Sequence, residues 1–200
     1  MDCANIATNI VAAVCNYQVK AGTEEDFIIL NYADIDRSLS SADDDIVTEL
    51  VLKSTKKGVS FTSLEDASLG EFSLVKGTFM DRWQHDVTGR IFTKDEAAKA
   101  FMNGLGRKAR VVIILKNKEA GFAVQNTGTM PGATKYEVYG WDSGLELLEA
   151  TGTTTVENGV VYQFKAGSSE TAKEGTIPKS FFDGVGLTST EAALASLLAP

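Results

Sequence analysis

The chain has 200 residues, 44% of them apolar, and a formal charge of −8. That length supports one well-filled core or at most two small ones, and we expect a single main domain. Residues 23–52 hold nine acidic side chains against Arg37 alone and thus carry the whole net charge. Such a segment repels nucleic acid phosphates, which argues against tight DNA binding, and its simplest interpretation is a solvated, solubilising surface.

The N-terminal segment, residues 1–22, is predicted to be an arm. Ile6, Ile10 and Val14 recur at helical spacing, but the Asn and Thr residues between them are poor helix formers. Two interpretations stay open, a helix or an arm that orders only against another surface.

Cysteine usage and the start of the chain indicate where the protein is assembled. Cys3 and Cys15 are the only cysteines, so no disulfide scaffold is predicted, and inert thiols in an intracellular protein are expected. The N-terminus lacks the basic start of a signal peptide, and no apolar run approaches the length of a membrane span. We expect a soluble protein without membrane association.

Several short segments of the first half carry the apolar residues that predict strands. A first strand is predicted at residues 27–32, followed by a polar loop at 34–45. Residues 46–54 and 58–64 are predicted to pair as a hairpin. The apolar parity then changes within residues 71–83, which predicts one long strand with a β-bulge.

One helix, residues 94–103, is predicted to flank the sheet. Thr93 and Glu96 form a capping box, in which Thr93 accepts a hydrogen bond from the backbone N–H of Glu96. The apolar stripe has the i, i+3, i+4, i+7 spacing of a buried helix face and consists of Ala98, Phe101, Met102 and Leu105. We expect this stripe to pack on the sheet face lined by Tyr162 and Phe164.

The second half is predicted to be an antiparallel meander. Residues 109–115 are a short apolar run rich in β-branched side chains, which predicts a buried strand. Residues 136–139 and 145–147 are predicted to form a hairpin, with Gly144 at the loop position that needs a left-handed residue. The Asn-Gly pair at 158–159 predicts a second hairpin.

Residues 23–187 together predict a mainly β domain, either a β-sandwich or a partly closed antiparallel barrel, with one flanking helix. Within it, residues 177–182 are too short and proline-broken for a central strand. A short C-terminal helix follows at 188–200 and opens with another capping box. Its apolar face, which includes Leu194 and Leu197, docks either on the protein's own body or on a neighbour.

A loop of about fifteen residues, 119–133, interrupts the meander. Loops of this length are uncommon in compact domains unless they have a function. A disordered excursion is one interpretation. A contact loop is the other, because Phe122, Val124 and Met130 would otherwise face water.

Patterns that would carry chemistry are absent from the sequence. His85 is the only histidine and is predicted to be a turn residue, and no ligand spacing completes a histidine-based metal site. Residues 104–107 lack the third glycine of a dinucleotide loop, and no Gly-x-Ser-x-Gly elbow is present. The acids at 43–45 lack the alternating spacing of a calcium loop. We expect no catalytic site, no cofactor and no metal.

The order of these features resembles that of tail tube (major tail) proteins of bacteriophages that infect Bacteroidetes-type bacteria. The resemblance lies in the cysteine-bearing arm, in Leu-Asn-Tyr-Ala-Asp-Ile at 30–35, in the capped helix, and in Tyr-Glu-Val-Tyr-Gly-Trp-Asp-Ser-Gly-Leu at 136–145. It covers most of the chain. It implies a virion structural protein whose copies form hexameric rings, stacked into a hollow tail tube through which DNA is ejected.

The implied partners are further copies of the chain, other tail proteins and passing double-stranded DNA that is not tightly bound. The implied location is the virion tail, assembled in the host cytoplasm. An acidic lumen lets duplex phosphates slide rather than stick, and the candidate lumen charges are Asp34, Asp36, Asp43, Asp44, Asp45 and Glu49. Contacts between copies would use apolar side chains and a basic cluster opposite in sign to the acidic segment. The candidate contact residues are Phe122, Val124, Met130, Arg107, Lys108, Arg110, Leu194 and Leu197.

Two other classes of function stay open. A capsid decoration or host-attachment module is served equally well by an antiparallel sandwich with long loops. A carboxylate-dependent hydrolase is the weakest candidate, because nothing in the sequence pairs two acids with an apolar pocket.

Overall fold

The protein, described by a computed structural model, contains thirteen strands and two α-helices within its described residues. These residues are 22–43, 45–64, 67–78, 80–107, 109–118, 122–125, 128–131, 135–153 and 160–198, with the backbone alone described for Glu25, 122–125 and 128–131. The strands are β1 (Thr23–Asn31), β2 (Ser41–Ala42), β3 (Ile46–Glu49), β4 (Val59–Thr62), β5 (Leu69–Val75), β6 (Arg82–Ile91), β7 (Val111–Asn117), β8 (Phe122–Gln125), β9 (Gly128–Pro131), β10 (Tyr136–Tyr139), β11 (Leu145–Gly152), β12 (Tyr162–Ser168) and β13 (Lys179–Phe181). The helices are α1 (Glu96–Leu105) and α2 (Leu187–Ser196), and a 3-10 turn spans Tyr32–Asp34.

Eleven of the described strands form one open sheet, and β8 and β9 form a separate hairpin. The strand order is β2-β3-β13-β10-β7-β11-β12-β6-β5, with β1 pairing with β7 and β4 pairing with β1. Every described strand pair is antiparallel except β3 with β13. The predicted mainly β fold with a flanking helix and a short C-terminal helix is confirmed. The sheet is mixed rather than purely antiparallel, because of the one parallel pair.

Strand β7 lies near the middle of the sheet and is buried on both faces. Ile113 and Leu115 point into a first core, shared with β1, β6, β12 and α1. Val112 and Ile114 point into a second core, shared with β3, β10 and α2. A strand with two covered faces needs an apolar residue at every position. This explains the unbroken apolar run at 111–115 and confirms the predicted buried strand.

Helix α1 covers the first core. Its residues Ala98 and Leu105 are buried. The centroid of the Phe101 ring lies 5.5 Å from that of Phe61 and 5.4 Å from that of Phe164. The predicted packing of the helix stripe on the Phe164 face of the sheet is therefore confirmed.

The N-cap of α1 is Asp95 rather than the predicted Thr93. The Asp95 carboxylate accepts a hydrogen bond from the backbone N–H of Ala98 at 2.7 Å, so the helix begins at Glu96. Because an N-cap contributes about 1 kcal/mol, Asp95→Ala should lower the free energy of unfolding in urea by about that amount. Thr93→Ala is the matched control and should have a clearly smaller effect. A larger loss for Thr93→Ala than for Asp95→Ala would place the cap at Thr93 instead.

The predicted hairpin around Gly144 is wrong. β10 and the start of β11 both pair with the same edge of β7, at Ile113 and Val111. The turn between them leaves that edge and returns to it, with Gly140 and Gly144 at φ values of 78° and 77°. Gly144 has the predicted left-handed conformation, but the turn is an excursion from one edge and not a reversal of the chain.

The predicted hairpin of residues 46–54 and 58–64 is also wrong. β3 pairs with β2 and β13, whereas β4 pairs with β1. The chain does turn between them, at Thr55, whose φ is 66°. The strands diverge because they serve different cores, with Val47 in the second core and Phe61 packed against the first.

The parity change within residues 71–83, predicted to be a β-bulge, is a hairpin. β5 and β6 pair antiparallel, with Leu69 opposite Thr88 and Val75 opposite Arg82. The apolar side chains change parity because the chain reverses between the two strands.

Two predictions concern the C-terminal third. β12 pairs with β11, with Gly152 opposite Tyr162, and the predicted second hairpin is not tested, because residues 154–159, which hold most of its predicted first strand and its Asn-Gly turn, lie outside the described residues. Residues 177–182, predicted not to form a central strand, contain β13, which pairs with β10 on one side and β3 on the other. Phe181 is 1% exposed there, so its burial outweighs the short length of the strand.

Candidate functional site

β5 is an edge strand whose apolar side chains face solvent. Among the described residues it pairs with β6 alone. Leu69, Phe72, Leu74 and Val75 are between 37% and 53% exposed. The outer edge also carries backbone N–H and C=O groups without a strand partner in this part of the chain, which makes β5 a template for pairing with another chain.

The exposed apolar side chains of β5 lie on both faces of the strand, with Phe72 and Leu74 on one face and Leu69 and Val75 on the other. The face of Phe72 and Leu74 begins in the core, because Gly70 on the same face lies against the Tyr139 ring, which a Cβ at this position would overlap. Further along, the Phe72 ring meets the Trp83 ring edge to face at 5.9 Å, and Met80 near the turn is 61% exposed. We call the following set of exposed and half-buried side chains the β5 surface: Leu69, Phe72, Leu74, Val75, Met80 and Trp83.

His85 is a buried strand residue and not the predicted turn residue. It lies within β6 and is 1% exposed. Its Nδ1 accepts a hydrogen bond from the Gly140 backbone N–H at 3.3 Å, so Nε2 carries the proton and donates to the Thr176 carbonyl at 2.9 Å. Burial lowers the pKa of the imidazole to about 4, and the ring is therefore neutral at pH 7.

Glu174 binds the turn at residues 140–144, which His85 also contacts through Gly140. Its carboxylate is 1% exposed and accepts hydrogen bonds from the backbone N–H groups of Asp142 and Ser143, at 2.6 and 3.0 Å. Burial raises the pKa of this carboxyl. The backbone of Glu174 also pairs with that of Trp83. His85 and Glu174 thus bond through both nitrogens and both oxygens to backbone groups, and they position the base of the β5–β6 hairpin.

One member of the predicted basic cluster of Arg107, Lys108 and Arg110 interacts with other residues of its own chain. Arg110 forms an ion pair with Glu146 at 2.9 Å and donates to the Ser143 carbonyl at 3.4 Å. Arg107 is exposed, and Lys108 lies outside the described residues. The Arg110 side chain stays 43% exposed, so both described members of the cluster face solvent.

The predicted acidic segment is divided between distant strands. Glu24, at the start of β1, pairs with Lys116 at 2.9 Å and with Lys135. β1 is separated from β3 by β7, β10 and β13, a distance of roughly 19 Å at about 4.8 Å per strand. The acids of residues 23–52 therefore do not form one continuous surface.

The candidate lumen charges lie nearer to the β2–β3 end of the sheet. The exposed acids there are Asp43, Asp45 and Glu49. Asp34 pairs with Lys56 at 3.5 Å, and hydrogen bonds from Ser38 hold the pKa of Asp36 below its usual value. Asp44 lies outside the described residues. The exposed acids thus lie at the opposite end of the strand order from β5.

The predicted contact loop, residues 119–133, contains the hairpin of β8 and β9. Phe122, Val124 and Met130 lie on these two strands, and their side chains lie outside the described residues. The predicted N-terminal arm, with both cysteines, also lies outside them.

Leu194 and Leu197 are not the predicted subunit contacts. They are 2% and 6% exposed and pack in the second core, so α2 docks on its own body. The predicted capping box of this helix is wrong as well. The N-cap is Gly186, without a side-chain hydrogen bond, and the Thr190 hydroxyl donates to Asp183 at 3.1 Å.

The β5 surface was not among the predicted contact residues, although its sequence carries a signal for it. Leu74 and Val75 are neighbours, so this strand carries apolar side chains on both faces just before Gly77. Apolar residues on both faces beside a turn residue also predict a hairpin that projects beyond the core.

Among the described residues, no three His, Cys, Asp or Glu side chains lie close enough together to hold a metal ion. None of the helices in that part of the chain combines the length and the apolar character needed to cross a membrane.

No protein-family model, no curated protein and no solved structure matches the chain.

Proposed function

We propose that the chain is a virion structural protein whose copies assemble into the stacked rings of a phage tail tube. The observation that supports this best is the β5 surface, an open strand edge with apolar side chains up to 61% exposed. Monomeric proteins protect such edges with charges, prolines or a covering segment. Contact with another copy would remove the unpaired backbone groups and the exposed apolar area of β5 together.

The position of the exposed acids also supports this proposal. Asp43, Asp45 and Glu49 lie at the far end of the strand order, so a contact through β5 leaves them on a free surface. If β5 pairs with a different surface of its neighbour, the contact is heterologous and repeats around a ring. An acidic inner wall repels duplex phosphates, so DNA passes without tight binding.

Leu74→Lys should prevent assembly while leaving the fold intact. Leu74 is 45% exposed and lies opposite Trp83 in the β5 surface. Burial of such a side chain contributes about 1.5–3 kcal/mol, so the concentration needed for assembly should rise by roughly tenfold or more. Negative-stain microscopy should show rings or tubes for the wild-type protein and none for the variant at the same concentration.

The matched control is Val185→Lys, which changes a side chain that is 82% exposed in the loop before α2. This variant should assemble as the wild type does. A wild-type protein that stays monomeric at high concentration contradicts the proposal, as does a folded Leu74→Lys protein that forms rings normally.

A capsid decoration or host-attachment module is the second candidate. The observation that favours it is the β8–β9 hairpin, which pairs with no strand of the main sheet among the described residues. Recognition residues are often carried on such connecting segments. A monomeric protein that binds purified capsids or host cells would favour this function over self-assembly.

A further inference from the structure

A pocket of about 340 Å³ lies beside the turn at residues 53–57. Its lining comes from residues 50–57 and from Ser196 and Leu197 at the end of α2. The turn contributes three lysines, a serine and a threonine to this lining, which contains no acidic side chain. Sites for small molecules occupy about 300–1,000 Å³. The volume of this pocket is therefore sufficient for a small ligand.

The lysines of this turn concentrate positive charge in an otherwise acidic chain. The formal charge of the whole chain is −8, but residues 50–64 contain Lys53, Lys56 and Lys57 and no acidic residue. The Lys56 side chain is 52% exposed and pairs with Asp34 at 3.5 Å. The pocket beside the turn thus has the charge that attracts an anion.

Two of the three ammonium groups are held in place by neutral partners. Lys53 Nζ donates to the Ala33 carbonyl at 2.7 Å, and Lys57 Nζ donates to the Ser196 carbonyl at 2.7 Å. Neither lies within ion-pair distance of a described carboxylate, although Lys53 attracts the Asp36 carboxylate from farther away. An ammonium group has several N–H donors. Each lysine therefore keeps donors and positive charge for a bound anion.

The backbone of the turn is anchored to the structure on both sides. The Lys53 N–H donates to the Asp34 carbonyl at 2.8 Å, and the Gly58 N–H donates to the Leu197 carbonyl at 2.7 Å. The turn itself is closed by the Lys56 N–H, which donates to the Lys53 carbonyl at 3.0 Å. The carbonyl groups at the end of α2 also gain donors in this way, which compensates part of the negative charge of that helix end.

Thr55 has a conformation that a threonine adopts only under strain. Its φ is 66°, and it is the one non-glycine residue with a positive φ in the described part of the chain. Glycine or asparagine is favoured at such a turn position, and a β-branched residue there is a clear outlier. Strain of this kind occurs at ligand-binding sites. Because Thr55 lines the pocket, its hydroxyl can serve as a donor to a ligand.

We propose that the pocket at residues 53–57 binds the phosphate group of a small molecule. Phosphate oxygens accept hydrogen bonds from ammonium and hydroxyl groups, and hydrogen bonds between charged partners are the stronger ones. A pocket formed by one turn suits a single phosphate group, whereas duplex DNA presents a long row of phosphates. The inference does not depend on the proposed assembly, because the pocket is formed within one chain and shares no residue with the β5 surface.

Titration of the full-length protein with inorganic phosphate, followed by phosphorus NMR at low ionic strength, tests this site. The wild-type protein should bind one phosphate per chain with a Kd in roughly the millimolar range. Lys57→Gln and Thr55→Gly should each weaken binding by roughly fivefold or more, because each removes a donor. Glycine adopts a φ of 66° without strain, so Thr55→Gly keeps the turn. Thr55→Ser keeps the hydroxyl and should bind phosphate as the wild type does.

The matched control is Lys99→Gln, which removes the same charge from an exposed position on α1. This variant should bind phosphate with wild-type affinity. An equal loss in this control would mean attraction by net charge alone and would overturn the proposal. A wild-type protein without saturable phosphate binding, or a Thr55→Gly protein with wild-type affinity, would also overturn it. So would a short DNA duplex that binds more tightly than phosphate and loses this affinity in Lys57→Gln, because the ligand would then be nucleic acid.

Discussion

Phe164→Ala should lower the free energy of unfolding by about 3–5 kcal/mol, the range found when a fully buried phenylalanine is truncated. Phe164 has no exposed surface, and its ring centroid lies 6.3 Å from that of Phe61 and 5.4 Å from that of Phe101. A Cβ at Gly89 would overlap the ring, so β6 passes directly over it. The truncation therefore leaves a cavity that strands and helix together cannot close.

Urea denaturation monitored by circular dichroism measures this loss. Phe72→Ala is the matched control, because it removes the same atoms from a side chain that is 48% exposed on β5. It should cost only about 1 kcal/mol or less, since little cavity is created. Comparable losses in the two variants would show that Phe164 is not the centre of the first core.

The free energy of unfolding should fall by about 3 kcal/mol between pH 7 and pH 4 through His85 alone. Burial lowers the pKa of this imidazole from the ordinary value of 6.5 to about 4. Between these two values the unfolded chain binds the proton and the folded chain does not, so stability is lost as the pH falls through this window. The magnitude follows from 1.36 kcal/mol for each pKa unit. Asp142 and Asp86 oppose the shift, and Lys179 reinforces it.

His85→Gln isolates this contribution. The Gln amide can accept from the Gly140 N–H and donate to the Thr176 carbonyl, but it does not titrate. Urea denaturation of both proteins from pH 7 to pH 4 should give a much shallower decline for the variant. Glu174 acts in the opposite direction, because its raised pKa favours the folded state as the pH falls, and it is present in both proteins. Parallel pH profiles would show that His85 is not desolvated.

Periodicity predicted the elements whose burial is decided locally. The alternation of Ile29 and Leu30 between the two cores, and the unbroken run of β7, follow from which faces are covered. The apolar stripe of α1 was also predicted from its spacing. Only the N-cap was misplaced, because Thr93 and Asp95 both precede the helix and only the hydrogen-bond geometry selects between them. Local patterns of this kind carry enough information to predict a strand or a helix.

Strand pairing was harder to predict, because a turn signal does not say which edge the next strand will meet. Gly144 adopts the predicted conformation, yet the chain returns to β7 instead of reversing. β13 has three residues and becomes central only because β10 and β3 lie on either side of it. These outcomes depend on contacts between distant parts of the chain, which a local pattern does not contain.

A local pattern also does not say which surface the apolar face of a helix packs on. Leu194 and Leu197 have the spacing of an apolar helix face, and this spacing is identical whether the helix packs on its own chain or on a neighbouring copy. Their burial in the second core decides the question. Phe72 and Leu74 are 48% and 45% exposed although their sequence pattern is that of buried strand residues, because alternation alone does not say whether another part of the chain covers that face.

The position of β1 between β4 and β7 has a consequence for synthesis on the ribosome. Ile29 pairs with Val59, which is thirty residues later in the chain. Asn31 pairs with Val111, which is eighty residues after Asn31 and is therefore made much later. Pairing between such distant segments slows folding. Until residue 117 has emerged, one side of β1 has no partner, and in that interval a nascent copy on the next ribosome can supply the missing strand. We therefore expect translation speed past residue 117 to influence how much of the newly made protein folds as single chains.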